Sequence, residues 1–259
     1  MNHISDMVWI ESRKAIRSKM PLFTALGSLL MPLGIGFLVF LAKNPELSRN
    51  LGLVGTKANL TAYYATDWPS YLGLFAEIIA AAGFFLFVLI ISWVFGREFA
   101  DRTLKDMLAV PVSRSSILLA KFVVVGLCSG VLTMGIFSLG LVMGAIVKLP
   151  HGSIGVVLQG AGSVVITACL VFAVVVPFAL LASVGRGYLL PLGAAILALI
   201  MANLLMIAGW GDYYPWGIPG IYAQGKNSLP PISYVIVILT GLAGMIGTYL
   251  WWKYADQNS

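Results

Sequence analysis

The chain has 259 residues, of which 59% are hydrophobic and only 10% are charged, and its formal net charge is +6. Soluble domains are about 45–50% apolar and about 25% charged, so this composition excludes a water-soluble domain. It predicts an all-α, polytopic membrane protein. Nucleic-acid binding is a poor explanation for the +6 charge, because the sequence has no basic patch interleaved with aromatic residues.

The first predicted element is an amphipathic helix within residues 1–20. Met7–Met20 mixes apolar side chains with four basic ones, which is typical of a helix that lies in the cytoplasmic interface of a membrane. We expect Pro21 to end this helix before the first span. Two compatible interpretations remain, an orientation anchor or an elbow helix that packs against a cytoplasmic loop. No cleavage pattern closes the first apolar run, so we expect no signal peptide.

Six apolar runs are long enough to cross a bilayer, since a span needs about 20 residues. They are Leu22–Ala42, Leu72–Val94, Phe122–Val147, Ile154–Val184, Tyr188–Gly209 and Ile232–Trp252. The fourth run is over-long, and Pro177 is its predicted kink. Only Gly185-Arg186-Gly187 separates the fourth run from the fifth, which predicts a tight helical hairpin.

The most informative segment is the charged loop 96–116 between the second and third runs. Glu98 and Arg102, and likewise Asp101 and Lys105, are spaced as i, i+4 pairs with the acid first, the favoured order in a solvated helix. A polar helix held between two spans must lie on one membrane face, where a soluble partner can contact it. Exposed pairs contribute only about 0.3–0.5 kcal/mol, so we expect alanine at Glu98 and Arg102 to leave folding largely intact. An ordinary connecting loop is the alternative.

Counts of Lys and Arg predict the orientation of the spans. With the N-terminus inside, five basic residues fall in outer segments and 11 in inner ones. The inner residues are Arg13, Lys14, Arg17, Lys19, Arg97, Arg102, Lys105, Arg114, Lys121, Arg186 and Lys253. This ratio predicts that both termini and the loop 96–116 are cytoplasmic, and that 43–70 and 210–231 lie outside.

Two polar residues within the predicted spans are candidates for a translocation path. Glu77 lies about 8–9 Å inside the outer end of the second run, where a carboxylate is costly unless it faces protein or water. A later start of this span would instead place Glu77 at the interface. The Asn203 side chain is expected to form an interhelical hydrogen bond, and a contact with substrate is the alternative. The aromatic loop 210–231 predicts either an interfacial belt or a re-entrant element.

The segment 96–122 resembles the cytoplasmic loop of type-2 ATP-binding cassette (ABC) permeases, in the branch that includes bacitracin-, lantibiotic- and sodium-export permeases. The matching positions are Gly96, Arg97, Glu98, Thr103, Leu104, Leu108, Pro111, Ser113, Arg114 and Lys121. The resemblance implies a coupling helix that docks into a cleft on an ATPase subunit. The coupling residues would be Arg97, Glu98, Asp101, Arg102, Thr103, Lys105 and Arg114.

The resemblance also implies a function and partners. The chain would be the transmembrane subunit of an exporter in a bacterial plasma membrane, surrounded by lipid and connected with antimicrobial peptide resistance. The chain has no G-x-x-x-x-G-K-[ST] motif, so we expect no nucleotide, cofactor or metal site on it, and ATP and Mg on a separate ATPase subunit. A second permease copy or a paralogue would complete the pore.

Two other classes of membrane protein have less support from the sequence. An ion-coupled secondary transporter or channel has only Glu77 in its favour, because the halves show no obvious repeat. An intramembrane hydrolase needs a base or metal site, yet His3 and His151 both fall outside the predicted spans. We therefore expect a permease that performs no covalent chemistry.

Overall fold

A computed structural model describes residues 3–44, 46, 67–101, 103, 112–225 and 229–254. Within these ranges the chain is helical and contains no strand. The helices are α1 His3–Arg17, α2 Lys19–Lys43, α3 Trp68–Ile78, α4 Phe84–Ala100, α5 Arg114–Ile146, α6 Ile154–Val175, α7 Phe178–Val184, α8 Leu189–Ile207, α9 Ile218–Ala223 and α10 Pro231–Tyr254. A π-helical turn, Ile79–Gly83, joins α3 to α4.

These helices form six candidate membrane spans, which confirms the predicted all-α membrane fold. The second span, α3 to α4, is the most buried and lies at the centre of the bundle. Its phenylalanines pack against the third, fourth and fifth spans in the main hydrophobic core. The second span at its α4 end and the third span at the start of α5 extend past the predicted apolar runs, because helical hydrogen bonding continues into the flanking polar residues.

The predicted break between α1 and α2 is displaced. Pro21 lies in the first turn of α2, and the break occurs at Ser18, whose hydroxyl accepts a hydrogen bond from the Met20 amide at 3.2 Å. The prediction that Pro21 ends the first helix is therefore wrong. The first turn of a helix tolerates proline because its N–H groups lack intrahelical partners.

The fourth span breaks where the sequence predicts. Helix α6 ends at Val175 and α7 begins at Phe178, so Pro177 interrupts the helix. Gly244 of α10 packs closely here, because a Cβ added to it would lie 2.5 Å from the Pro177 nitrogen. The hairpin into α8 is as tight as expected, and Arg186 adopts a left-handed conformation with φ 50°.

The segment between α8 and α10 enters the bundle. Trp216 donates its indole N–H to the carbonyl of Val174 at 2.9 Å. Val174 follows the first residue of α6 by 20 residues, about 30 Å along the helix axis. Helix α9 then packs against α3, α6 and the π-helical turn. The packing of Trp216 and α9 is what a re-entrant element would show, and the exposure of Trp210 and Tyr213 is what an interfacial belt would show. Both interpretations remain predictions, and 210–231 is called the re-entrant segment below for its packing in the bundle.

Candidate functional site

Two groups of polar residues lie at opposite ends of the bundle. The α1 end contains α1, the end of α4, the start of α5 and the end of α10. The α9 end contains α9, the start of α3 and the end of α8. The predicted coupling residues lie at the α1 end, and the predicted translocation residues lie toward the α9 end.

A buried charge cluster joins three helices at the α1 end. Lys121 of α5 is completely buried, and its Nζ lies 2.6 Å from Glu98 Oε1 and 3.5 Å from Glu11 Oε2. The same ammonium donates to the carbonyl of Val94 at 2.8 Å. Lys14 Nζ lies 2.5 Å from Glu11 Oε1 and 3.7 Å from Glu98 Oε1. Two carboxylates and two ammonium groups thus balance one another between α1, α4 and α5.

The electrostatics of the cluster favour the ionised form of Glu11. Burial raises the pKa of Glu11, but the charges of Lys121, Lys14 and Arg97 and the hydrogen bond from Lys14 outweigh this effect, so its pKa is lowered overall. Glu98 Oε2 is buried with no hydrogen-bond partner among the described residues. The cluster therefore holds charge out of water, and its balance depends on all four side chains.

The position of Glu98 corrects one expectation from the sequence. Its side chain is only 2% exposed, within the last turns of α4, and its partners are Lys121 and Lys14. The expectation that Glu98 lies on a solvated helix face is wrong for this reason. The effect of its replacement on folding remains a prediction, and burial removes the argument that the replacement is harmless. Arg102 and Lys105 lie outside the described residues, so both predicted i, i+4 pairs remain predictions.

The other candidate coupling residues divide between two sites. Arg97 lies with its guanidinium 5.0 Å from the centre of the Trp93 ring. Asp101 caps α4, and the Thr103 amide donates to the Glu98 carbonyl at 3.0 Å. Both Asp101 and Thr103 are exposed. These residues therefore form a turn directly beneath the charge cluster.

Arg114 lies apart from that turn, at the start of α5. Its Nη1 donates to the carbonyl of Trp252 at 2.6 Å, near the end of α10. This contact fixes the beginning of the third span to the sixth. Whether Arg114 or the residues of the turn contact an ATPase remains a prediction.

The partners that bury Glu98 are not evident from the sequence. Glu11 and Lys121 are 110 residues apart, and no spacing rule connects them. The available signals were an acid within a basic amphipathic helix and a lysine at the start of an apolar run. Either signal alone is also typical of an exposed interfacial residue.

A cleft of about 440 Å³ lies toward the α9 end and contains both predicted translocation residues. It is bounded by α2, α3, the π-helical turn, α8 and the re-entrant segment. Its lining includes Ile35, Glu77, Asn203, Met206, Trp216 and Gln224. The fold therefore brings together Glu77 and Asn203, which are 126 residues apart in the sequence.

Both candidate residues are exposed in the protomer. Glu77 follows the start of α3 at Trp68 by nine residues, about 14 Å along the axis. It thus lies deeper from the helix end than the sequence predicts. Asn203 donates from Nδ2 to the Leu199 carbonyl of its own helix at 2.8 Å, so the structure gives this amide nitrogen an intrahelical bond instead of the expected interhelical one.

The π-helical turn Ile79–Gly83 begins two residues after Glu77 and borders the cleft. Ala80, Ala81 and Ala82 line the cavity, and their methyl side chains leave the backbone close to it. The sequence pattern predicts an ordinary helix here. Such turns are frequent at functional sites, which agrees with the position of this one beside two polar residues.

Comparison with known proteins gives two matches. The sequence model of the family described as ABC-2 family transporter protein matches residues 7–203. The bacitracin transport permease protein BCRB of Bacillus licheniformis is 27% identical over 186 residues, which cover 69% of this chain and 88% of that protein. No solved structure shows a significant match. The family match includes the whole charge cluster and the cleft residues Glu77 and Asn203.

Proposed function

Since the chain belongs to the ABC-2 family of transporter proteins and is the transmembrane subunit of an ABC transporter, we propose that it exports cargo using ATP hydrolysed by a separate cytoplasmic subunit. The family implies an ATPase partner in an ABC complex. The six candidate spans agree with a multi-pass membrane protein. On this proposal ATP and Mg bind the partner, and this chain performs no covalent chemistry.

The observation that carries the proposal is the charge cluster above the exposed turn at the end of α4. Asp101 and Thr103 lie on that turn, where a soluble subunit has access to them. Immediately above, Glu98, Lys121 and Glu11 connect α4 and α5 to α1. A force applied to the loop 96–116 would therefore reach the second span, the third span and the elbow helix together.

The proposed cycle uses this connection. Closure of two ATPase subunits on ATP displaces the two loops, and the cluster transmits the displacement to the spans. The cleft then changes its access from one side of the membrane to the other, and ATP hydrolysis resets the complex. Two copies of this chain, or one copy and a paralogue, surround the path.

The remaining details follow the same proposal. Both termini and the loop 96–116 lie in the cytoplasm of a bacterial cell, and the α9 end faces outside. The matched relative is a bacitracin transport permease by name, so a peptide antibiotic is the first cargo to try. In that case the protein contributes to antimicrobial peptide resistance.

Reconstitution tests the proposal. The permease and its ATPase subunit are placed in proteoliposomes, and ATP hydrolysis and movement of labelled bacitracin are measured. We expect movement only with ATP, and a loss of at least tenfold on replacing Asp101 and Thr103 by Ala. Asp212→Asn, at the α9 end, serves as the matched control and should transport normally.

Two results would overturn the proposal. One is movement driven by a proton or sodium gradient without ATP, which an ion-coupled carrier would show. The other is full ATP-driven transport by the Asp101→Ala, Thr103→Ala double variant at equal membrane abundance, which would make the turn a passive connector.

A further inference from the structure

The cleft at the α9 end combines one carboxylate with an otherwise uncharged lining. Glu77 provides the carboxylate, Asn203 and Gln224 provide amides, and the remaining residues are apolar side chains, glycines and Trp216. Its volume of about 440 Å³ falls within the roughly 300–1,000 Å³ typical of small-molecule sites. The cavity is therefore large enough for an organic molecule with both an apolar body and a polar group.

Glu77 has no cationic partner within the described protomer. The four ion pairs found in that part of the chain all belong to the charge cluster at the other end of the bundle. Lys43 is the described lysine at the α9 end of α2, and it donates to the carbonyls of Val147 and Lys148 instead. A carboxylate about 14 Å along a spanning helix is costly without a counter-charge or water.

A second copy of the chain does not provide this partner from its described spans either. The basic residues of those spans all lie within about two turns of a helix end: Lys19, Lys43, Arg97, Arg114, Lys121 and Lys253. Arg97, Arg114, Lys121 and Lys253 are at the α1 end, and Lys43 already has two carbonyl partners. Among the described spans, then, no basic side chain provides a counter-charge at the depth of Glu77, so this carboxylate is available to a bound cation.

We propose that the cleft binds an amphipathic organic cation, and that this is the class of cargo the protein carries. The cationic group lies against Glu77, with Asn203 and Gln224 as hydrogen-bonding neighbours, and the apolar body lies against Met206 and Trp216. An aromatic face adds attraction for a cation. A bare metal ion would need a close shell of oxygen ligands, whereas this cavity is mostly apolar.

The role as cargo site rests on the proposed transport function, but binding itself does not, so binding is tested without an ATPase. Full-length permease is placed in nanodiscs of phosphatidylcholine, a lipid with no net charge. Binding of rhodamine 6G, a fluorescent monocation with an apolar body, is measured by anisotropy against empty nanodiscs. Dodecyltrimethylammonium and dodecyl sulfate, with equal tails and opposite charges, compete at concentrations below micelle formation.

We expect Glu77→Gln to weaken binding of rhodamine 6G at least tenfold, and Glu77→Asp to retain most of it. Asp212→Asn removes a negative charge at the same end but outside the cleft, and should bind as the unaltered protein does. Dodecyltrimethylammonium should displace the probe and dodecyl sulfate should not. Thermal unfolding of each variant verifies the fold. Because Glu77 is exposed in the protomer, we expect its replacement to leave the unfolding temperature unchanged.

Equal binding by Glu77→Gln, or equal competition by the two dodecyl compounds, would overturn the proposal. Displacement by sodium chloride that exceeds displacement by caesium chloride at equal ionic strength would also overturn it, in favour of a sodium site. The two hypotheses fail separately. Glu77-dependent binding without ATP-driven transport refutes the proposed function alone, and ATP-driven transport with Glu77-independent binding refutes the cargo class alone.

Discussion

The burial of Lys121 depends on contacts with residues that are distant in the sequence. Its ammonium has no exposed surface and lies between Glu98, Glu11 and the Val94 carbonyl. Removing one member of a buried ion pair leaves an uncompensated charge, at a cost of about 3–5 kcal/mol. Removing a balanced pair avoids that cost.

A double-mutant cycle tests this account of the charge cluster. Lys121→Met should lower stability by about 3–5 kcal/mol, since Glu98 and Glu11 then share only Lys14. Adding Glu98→Gln should recover part of the loss, because Glu11 and Lys14 remain as a neutral pair. The measurement is thermal or denaturant unfolding of the full chain in detergent.

The exposed Lys253 provides the control for this cycle, and Lys253→Met should leave unfolding unchanged. If Lys121→Met and the double variant are equally unstable, the ion pair does not account for the burial of Lys121. The cycle also separates folding from coupling, since a partly restored double variant can then be assayed for transport.

At the scale of elements, the break at Pro177 and the re-entrant segment depend on each other. Pro177 interrupts hydrogen bonding between α6 and α7, just beyond Val174. The Trp216 indole donates to the Val174 carbonyl, and the Trp216 ring lies 6.2 Å from that of Phe178. The irregular backbone of one element is thus satisfied by a side chain from another, as a membrane interior requires.

Trp216→Phe tests this dependence. The change keeps an aromatic ring but removes the N–H, leaving a buried carbonyl with one partner fewer, so we expect a loss of about 1–3 kcal/mol. Unfolding in detergent measures the loss, and protease cleavage within 210–231 should increase. Trp210 is 65% exposed, so Trp210→Phe is the matched control and should have little effect. Equal stability of both variants would contradict the role of the Trp216 hydrogen bond.

Element boundaries show which signals are present in the sequence. Proline at 177 predicts its break correctly, because it falls in the interior of a helix where an N–H is required. Proline at 21 does not, because it falls in a first turn. The π-helical turn at Ile79–Gly83 has no such signal, since alanine and glycine are compatible with an ordinary helix as well.

For the whole molecule, length and hydropathy are sufficient to predict six spans, and each predicted run corresponds to a candidate span of the structure. The sequence does not predict which polar residues meet. Glu77 and Asn203 share a cleft, and Glu98 is buried against Glu11 and Lys121, through contacts between distant helices. Hydropathy measures how strongly each segment favours lipid over water. It contains no information on which helices pack against each other.

We predict that the α9 end of the bundle faces outside and that the loop 96–116 faces the cytoplasm. In a chain with Cys128 and Cys169 replaced by Ala, Asp212→Cys should react with a membrane-impermeant maleimide in intact cells. Lys105→Cys should react only after the membrane is opened. Basic residues concentrated at the α1 end favour this orientation. Labelling of Lys105→Cys from outside would refute it and, with it, docking of a cytoplasmic ATPase on the loop 96–116.

The charge cluster also constrains the order in which the chain matures during synthesis. Glu11 is made 110 residues before Lys121, an interval of roughly 5–20 s at ribosomal rates. During that time α1 has Lys14 but not the buried lysine that later joins it to α4 and α5. Docking of α1 is therefore a late event of biogenesis, which follows delivery of the third span to the bilayer.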